Sequence, residues 1–437
     1  MRKVFLIVLI AASMFGNAYA QKTETLSVSL KDAQRYAWSH NLSVVNGDLA
    51  IQKAKRVQWQ TLATMLPQIS GTAEYQNYCG FGMIMETGIP GMKPIEIAMN
   101  PAGTLAGTAS ITLSGAQIVG TLIHKTAIEM TDISAEKNKQ QISSAVAQLY
   151  STILATESTV GLLEQSLENI KKLHQTTLNS VKVGVVEQVD ADQLSIQVSS
   201  IENTISSTKR SLEMLYNALR LQMGTSIDCK LILTDKLDNV IDAGVSQRLV
   251  SKNFNMERNF DYQLLSKNLD LLQQQITLSI MDYLPSVTGF YQYSAKTYFG
   301  KDAGMNMTPP HLVGVSVKVP IWSSGVRTTK LQETKISYRM AENEFIMTND
   351  ALRIQERQLK YNLVSAYENY ETQNKNIEIS ERVFANISNK YEYGRASSLD
   401  VTNASTNLIS SQANYIKSII DLTNAQIELK KLLNITE

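Results

Sequence analysis

The segment GTLIHKTAIEMTDISAEKNKQQISSAVAQLYSTILATESTVGLLEQSLENIKKLHQTTLNSV, residues 120–181, contains no proline, and Gly161 is its only internal glycine. Apolar residues recur there at Ile142, Val146, Leu149 and Ile153, then at Val160, Leu163, Leu167 and Ile170. Steps that alternate between three and four residues form a heptad seam, which requires a helix. At about 1.5 Å per residue, roughly 60 residues make a rod of about 90 Å, far longer than an ordinary globular helix or a membrane span. Such a rod is suited to crossing a distance.

Prolines bracket the helical stretches. They fall at Pro67, Pro90, Pro94 and Pro101, then at Pro285, Pro309, Pro310 and Pro320, and nowhere else. Two proline-bearing, glycine-rich islands therefore interrupt an otherwise helical chain. The islands match each other, because Asn41-Leu42 through Leu66-Pro67-Gln68-Ile69-Ser70-Gly71 aligns without a gap with Asn259-Phe260 through Leu284-Pro285-Ser286-Val287-Thr288-Gly289. Gly184 with Asp190 likewise aligns with Gly394 and Asp400, each pair opening a long helix.

The returning helix of the first copy keeps the heptad through Leu194, Val198, Ile201, Ile205, Leu212, Leu215 and Leu219. In the second copy the expected stripe is Leu399, Thr402, Thr406, Ile409, Ala413, Ile416, Ile420, Thr423 and Ile427. Its partner rod carries Leu359, Leu363, Ala366, Tyr370, Ile377, Phe384, Ile387 and Tyr391. Each half thus reads as a short helix, an island, a very long helix, a tight turn and a returning helix. The expected domains are a first repeat over 21–225, a linker over 226–245 and a second repeat over 246–437, with tips at 181–187 and 391–397.

Within the islands the period changes to two. Ile69, Gly71, Ala73 and Tyr75 share one face and Ser70, Thr72, Glu74 and Gln76 the other, while Leu105, Gly107, Ala109, Ile111 and Leu113 alternate with hydroxyl and small residues. The second island repeats this with Val287, Gly289, Tyr291, Tyr293 and Ala295, then Val313, Val315, Val317, Val319 and Ile321. Four strands are predicted, over about 67–78, 105–115, 285–297 and 311–321. Strands near ten residues long suit a tilted crossing of an outer membrane; a soluble half-buried sheet would show the same alternation.

The remaining features narrow the class. Arg2 and Lys3 precede the apolar run Val4 to Ala12, and Ala18-Tyr19-Ala20 offers a cleavage site before Gln21, so residues 1–20 read as a secretory signal. The residue directly after that site is Gln21 and not a cysteine, so an N-terminal lipid anchor is not expected. No later run is apolar enough for a transmembrane helix, so membrane insertion would have to use strands. With 19% charged residues and a net charge of +1, the chain has neither a nucleic-acid binder's basic surface nor a disordered tail. Cys79 and Cys229 are not expected to pair, and neither stands in a metal or redox spacing. Strand edges cannot stay open in hydrocarbon, and bacterial barrels begin at about eight strands, so four per chain demand two, three or four copies.

The duplicated Asn-containing helix start, Leu-Pro-x-Ile/Val-x-Gly, the strand pairs, and the tips Lys182-Val183-Gly184 and Tyr391-Glu392-Tyr393-Gly394 before Asp190 and Leu399-Asp400 resemble the TolC family of outer-membrane efflux channels. The resemblance covers the chain beyond the signal. It implies a mainly α fold, with an α-helical barrel of long antiparallel helices and a shared twelve-stranded β-barrel in a homotrimer. It also implies an outer-membrane location reaching into the periplasm, and partnership with a periplasmic adaptor and an inner-membrane transporter. The turns at Gly184 and Gly394 would form the periplasmic entrance, with Asp190, Tyr391, Arg395, Asp400 and Asn403 as candidate gate residues. Where the family often has Asn-Pro, this chain has Asn41-Leu42 and Asn259-Phe260, so a less sharply fixed helix start is expected. Asn403 stands where some relatives carry a second acidic residue, and Arg395 lies one residue earlier than some relatives' arginine.

No catalytic constellation appears. His40, His124, His174 and His311 are scattered, and no metalloprotease, nucleophile-elbow or phosphate-loop pattern occurs, so neither catalysis nor a cofactor is expected. Met83-Ile84-Met85 and Met305-Asn306-Met307 near His311 carry thioethers that suit Cu(I), but flexible apolar filling of loops is the preferred reading and no metal is expected. A periplasmic or secreted coiled-coil protein without a pore is the alternative to a channel. Asp400 has two readings, a ring of converging carboxylates or a residue that complements its own helix dipole.

Overall fold

A computed structural model describes residues 25–86, 88–237, 243–299 and 309–435. The expected signal segment, Met305-Asn306-Met307 and residues 238–242 of the expected linker lie outside the described residues. In chain order the elements begin with β1 (Thr25–Val28), α1 (Leu30–His40), α2 (Leu42–Ala63), β2 (Gln68–Gln76), β3 (Gly82–Met85), β4 (Ile95–Ala98) and β5 (Ala102–Leu113). Then come α3 (Gly115–Lys182), α4 (Gln188–Met223), β6 (Lys230–Leu233) and α5 (Ala243–Ser251). The last are α6 (Phe260–Met281), β7 (Ser286–Tyr298), β8 (His311–Lys318), α7 (Val326–Glu392) and α8 (Ser398–Leu432).

The rod expected at 120–181 is the 68-residue α3, and its counterpart α7 has 67 residues. The returning helices α4 and α8 have 36 and 35, and α2 and α6 have 22 each. Matched lengths in both halves accompany matched apolar spacing, since most of the stability of a protein helix comes from packing its apolar face.

The chain divides into two compact units, one of residues up to 46 with 136–259 and 351–437, the other of 47–135 with 260–350. In the first, Val146, Tyr150 and Ile153 of α3 pack with Leu219 and Met223 of α4, Ala33 and Ala37 of α1, and Val28 and Leu231 of a parallel β1–β6 pair. Further along the same helices, Leu163, Ile170 and Leu173 meet Leu194, Ile201 and Ile205, together with Phe384 of α7 and Val401, Ala404 and Leu408 of α8. The stripe expected on α8 is met in part: Ile416 and Thr423 are buried, Leu399, Thr406 and Ala413 are exposed, and Val401, Leu408, Ile419, Leu422 and Leu429, outside the expected stripe, are buried as well. This helix is apolar over more than one face, and more than one of those faces is covered.

Asn41 separates α1 from α2 and does two jobs. Its Oδ1 accepts from the Ser43 N–H at 2.8 Å, which starts α2, and its Nδ2 donates to Gln222 O at 2.8 Å near the end of α4. Gly224 terminates α4 at φ +76, where a Cβ would run into the His40 carbonyl. Asn259, equally buried, repeats the second contact by donating to Leu432 O at 3.3 Å. The expectation of a loosely fixed helix start at Asn41 is therefore corrected, because side-chain capping supplies what a following proline would have supplied.

The second unit carries a four-stranded antiparallel sheet in the order β2-β5-β7-β8. Its register pairs Ile69 with Ala109, Ala73 with Leu105, Leu105 with Ala295, Leu113 with Val287, and Val287 with Val317. The apolar sets of all four strands thus lie on one continuous face, and that face is open, with Ile69 84% and Val313 76% exposed. Among the described residues β2 and β8 each have one strand neighbour, so both outer edges are unpaired. The β3–β4 hairpin and the β1–β6 pair were not expected, since four-residue strands leave too short a pattern.

Removing the Asn41 amide should cost about 1–3 kcal/mol, as it leaves a buried carbonyl and an uncapped helix. Asn41→Ala should lower the midpoint of chemical unfolding accordingly, and Asn41→Asp should restore the cap but not the bond to Gln222. Equal stability of all three proteins would refute this assignment.

Candidate functional site

Both tips are built on the same turn. At the end of α3, Gly184 has φ +75, its N–H donates to Val181 O at 2.9 Å, and the Val185 N–H donates to Ser180 O at 3.0 Å. At the end of α7, Gly394 has φ +69, with Gly394 N–H to Tyr391 O at 2.9 Å and Arg395 N–H to Lys390 O at 2.7 Å. The left-handed residue satisfies the last helix carbonyls and reverses the chain, and a side chain there costs about 1–2 kcal/mol. Within the chain a Cβ at either glycine would meet open space, so backbone conformation alone calls for glycine. Around these turns Val183, Val185 and Tyr393 are between 74% and 79% exposed.

The two halves are tied together just behind the turns. Thr177, buried on α3, donates to Leu173 O at 2.9 Å, which leaves its oxygen to accept from the Tyr391 hydroxyl at 2.6 Å. Ser398, buried in the first turn of α8, donates to Asp190 Oδ1 of α4 and lies 3.1 Å from Gln193 Oε1. Tyr391 and Asp190 are thus brought into ties between the halves, whereas Arg395, Asp400 and Asn403 stay on the exposed surface. Thr177, Ser398 and Gln193 escaped the sequence reading. Ser397-Ser398-Leu399-Asp400 reads as one helix cap, and nothing in it marks the second serine as a cross-link.

The aligned aspartates have diverged. Asp400 accepts from the Ser397 N–H at 2.9 Å and the Ser397 hydroxyl at 2.8 Å, while the Asp400 N–H donates to Ser397 Oγ at 3.2 Å, a complete capping box. At the start of α4, Glu187 caps with no side-chain bond, which leaves Asp190 free to reach Ser398. The backbone and side-chain bonds from Ser397 hold the Asp400 carboxyl below its ordinary value.

Elsewhere, His311 is occupied by the Tyr291 hydroxyl, 2.8 Å from its Nδ1, and by the ring of Tyr293. Among the described residues there is no cluster of three histidine, cysteine or carboxylate ligands. Met83 and Met85 lie exposed on β3, Cys79 is exposed and Cys229 buried, and the two cysteines are not joined by a disulfide.

Because the Asp400 value is lowered on folding, its contribution is present above the unfolded aspartate value near 3.9 and is lost as pH falls through the lower folded value. Asp400→Ala should therefore speed amide exchange over 397–401 at neutral pH, and the difference from the parent should vanish in acid once the lowered Asp400 carboxyl is protonated. A difference that persists unchanged in acid would exclude the cap.

Residues 256–434 match the model of the outer membrane efflux protein family. No curated protein matches the sequence. Among solved structures, the outer membrane protein VceC from Vibrio cholerae superimposes with a TM-score of 0.73 at 14% identity, over 92% of this chain and 95% of that one. The CmeC outer membrane channel of Campylobacter jejuni gives 0.72 at 13% identity, over 96% and 90%. The open state of the MtrE outer membrane channel of Neisseria gonorrhoeae gives 0.70 at 14%, over 92% and 88%. The chain has the fold of these outer-membrane channels, and residues 256–434 match the outer membrane efflux protein family model.

Proposed function

We propose that this protein is the outer-membrane exit duct of a tripartite efflux or type I secretion system. It conducts substrates passively from an inner-membrane transporter and a periplasmic adaptor to the outside, and performs no catalysis. The observation that carries this reading is the sheet β2-β5-β7-β8, apolar over one whole face and unpaired at both edges. In hydrocarbon each unpaired backbone group costs several kcal/mol, so the edges call for further copies, and three copies close a twelve-stranded barrel. The repeats 21–225 and 246–437, joined through 226–245, then supply the helices of an α-helical barrel. The exposed valines and Tyr393 at the tips offer the adaptor an apolar surface.

In this reading the tips form the gate. Tyr391 and Ser398 hold the two halves of each subunit together, and Asp400, repeated once per subunit, sets a negative potential at the entrance that favours cations. Asn403, exposed one turn further, adds no charge to it.

The protein should be found in the outer-membrane fraction as a heat-modifiable trimer, and its loss should abolish export. Replacing Gly184 or Gly394 with valine should abolish export while leaving the trimer inserted. A monodisperse soluble monomer made without detergent would end the channel reading in favour of a pore-less coiled-coil protein. In planar bilayers Asp400→Ala should lower cation selectivity, and Tyr391→Phe combined with Ser398→Ala should raise conductance. Unchanged selectivity would leave Asp400 with the cap alone.

A further inference from the structure

The second unit leaves apolar and charged positions on two of its helices without partners. On α2, Leu49 is 52% exposed and Trp59 58%, and Arg56, one heptad after Leu49, makes no ion pair or side-chain hydrogen bond among the described residues. On α7, Met340 is 67% and Met347 71% exposed, and Glu333, one heptad before Met340, is equally unpaired. A row at seven-residue spacing is the mark of a helix that expects a second helix along it. Among the described residues the chain itself offers none there.

We propose that these rows form the seam between neighbouring copies, with α7 of one subunit lying antiparallel along α2 of the next. The proposal rests on the barrel reading above, and the connectivity picks out the two helices. Of the sheet's two free edges, β2 is entered from α2 and β8 leads into α7. Pairing β8 of one copy with β2 of the next therefore sets α7 beside the neighbour's α2. Depth along the helices agrees: Arg56 and Glu333 each lie about two turns from the strand-side end of their helix, and Leu49 and Met340 each about four turns. The seam thus sets an arginine against a glutamate and a leucine against a methionine at equal depth. Since the two rows differ, the contact is heterologous, and only such a contact propagates around a ring.

The test uses the full chain with Cys79→Ser, purified from membranes. Leu49→Cys and Met340→Cys in the same chain should give a covalent trimer on oxidation, at least ten-fold more abundant than covalent species from either single variant. Arg56→Glu should lower the temperature at which the trimer dissociates in detergent, and adding Glu333→Arg should restore it. An intact trimer that forms no cross-link, or whose loss is not rescued by the reversed pair, would overturn the seam while leaving the channel reading standing. Cross-linking by Leu49→Cys alone would show a two-fold contact and overturn it as well. A protein that is monomeric in detergent would remove both.

Discussion

A peptide N–H or C=O group that leaves water must find another partner, and most of this molecule's design follows from where those partners come from. Along α3 and α7 every turn supplies its own, which is why the chain can run more than sixty residues without a break. In the sheet the neighbours supply them, and the supply stops at β2 and β8. A single chain is thus complete in its helices and incomplete in its strands. The incompleteness is localised to two edges, and that makes a closed assembly of identical copies the natural remedy.

At the helix ends the same requirement is met by side chains and special backbone. Gly184, Gly224 and Gly394 take left-handed conformations, and Asn41 and Ser397 cap the helices that follow them or lie beside them. Duplication left two copies of this scheme, and they have drifted. Ser397 and Asp400 close one cap locally, whereas Glu187 leaves its helix start uncapped and Asp190 is used between the halves. Of the two aligned carboxylates, one serves local stability and the other cohesion between the halves.

Much of this architecture was legible because it rests on periodicity. The seven-residue spacing of Val146 to Ile153 and of Leu163 to Ile170 located α3, and the two-residue spacing of Ile69 to Tyr75 and Val313 to Val317 located the sheet with its faces correctly assigned. The stripe on α8 was legible only in part, at Ile416 and Thr423, because a helix buried on several sides has no single apolar face to read. Short strands such as β1 and β6 were invisible, since their pairing joins distant segments and four residues carry no pattern. At the tips the glycines and aspartates were found, yet the ties through Thr177 and Ser398 were not. Those depend on which buried hydroxyl happens to face which neighbour, a fact of packing that no local spacing encodes.

The ties also differ in how far they reach along the chain. Within each hairpin the contacts nearest the glycine turn join residues close in sequence, while Asn41 reaches Gln222 across 181 positions, and Ser398 reaches Asp190 across 208. Contacts with a small closure entropy form first, and those that must gather distant segments form late. Each hairpin is therefore set to zip from its turn outward. The asparagine clasp then fastens onto helices already formed, and the tie between tips joins two hairpins that have each found their own register.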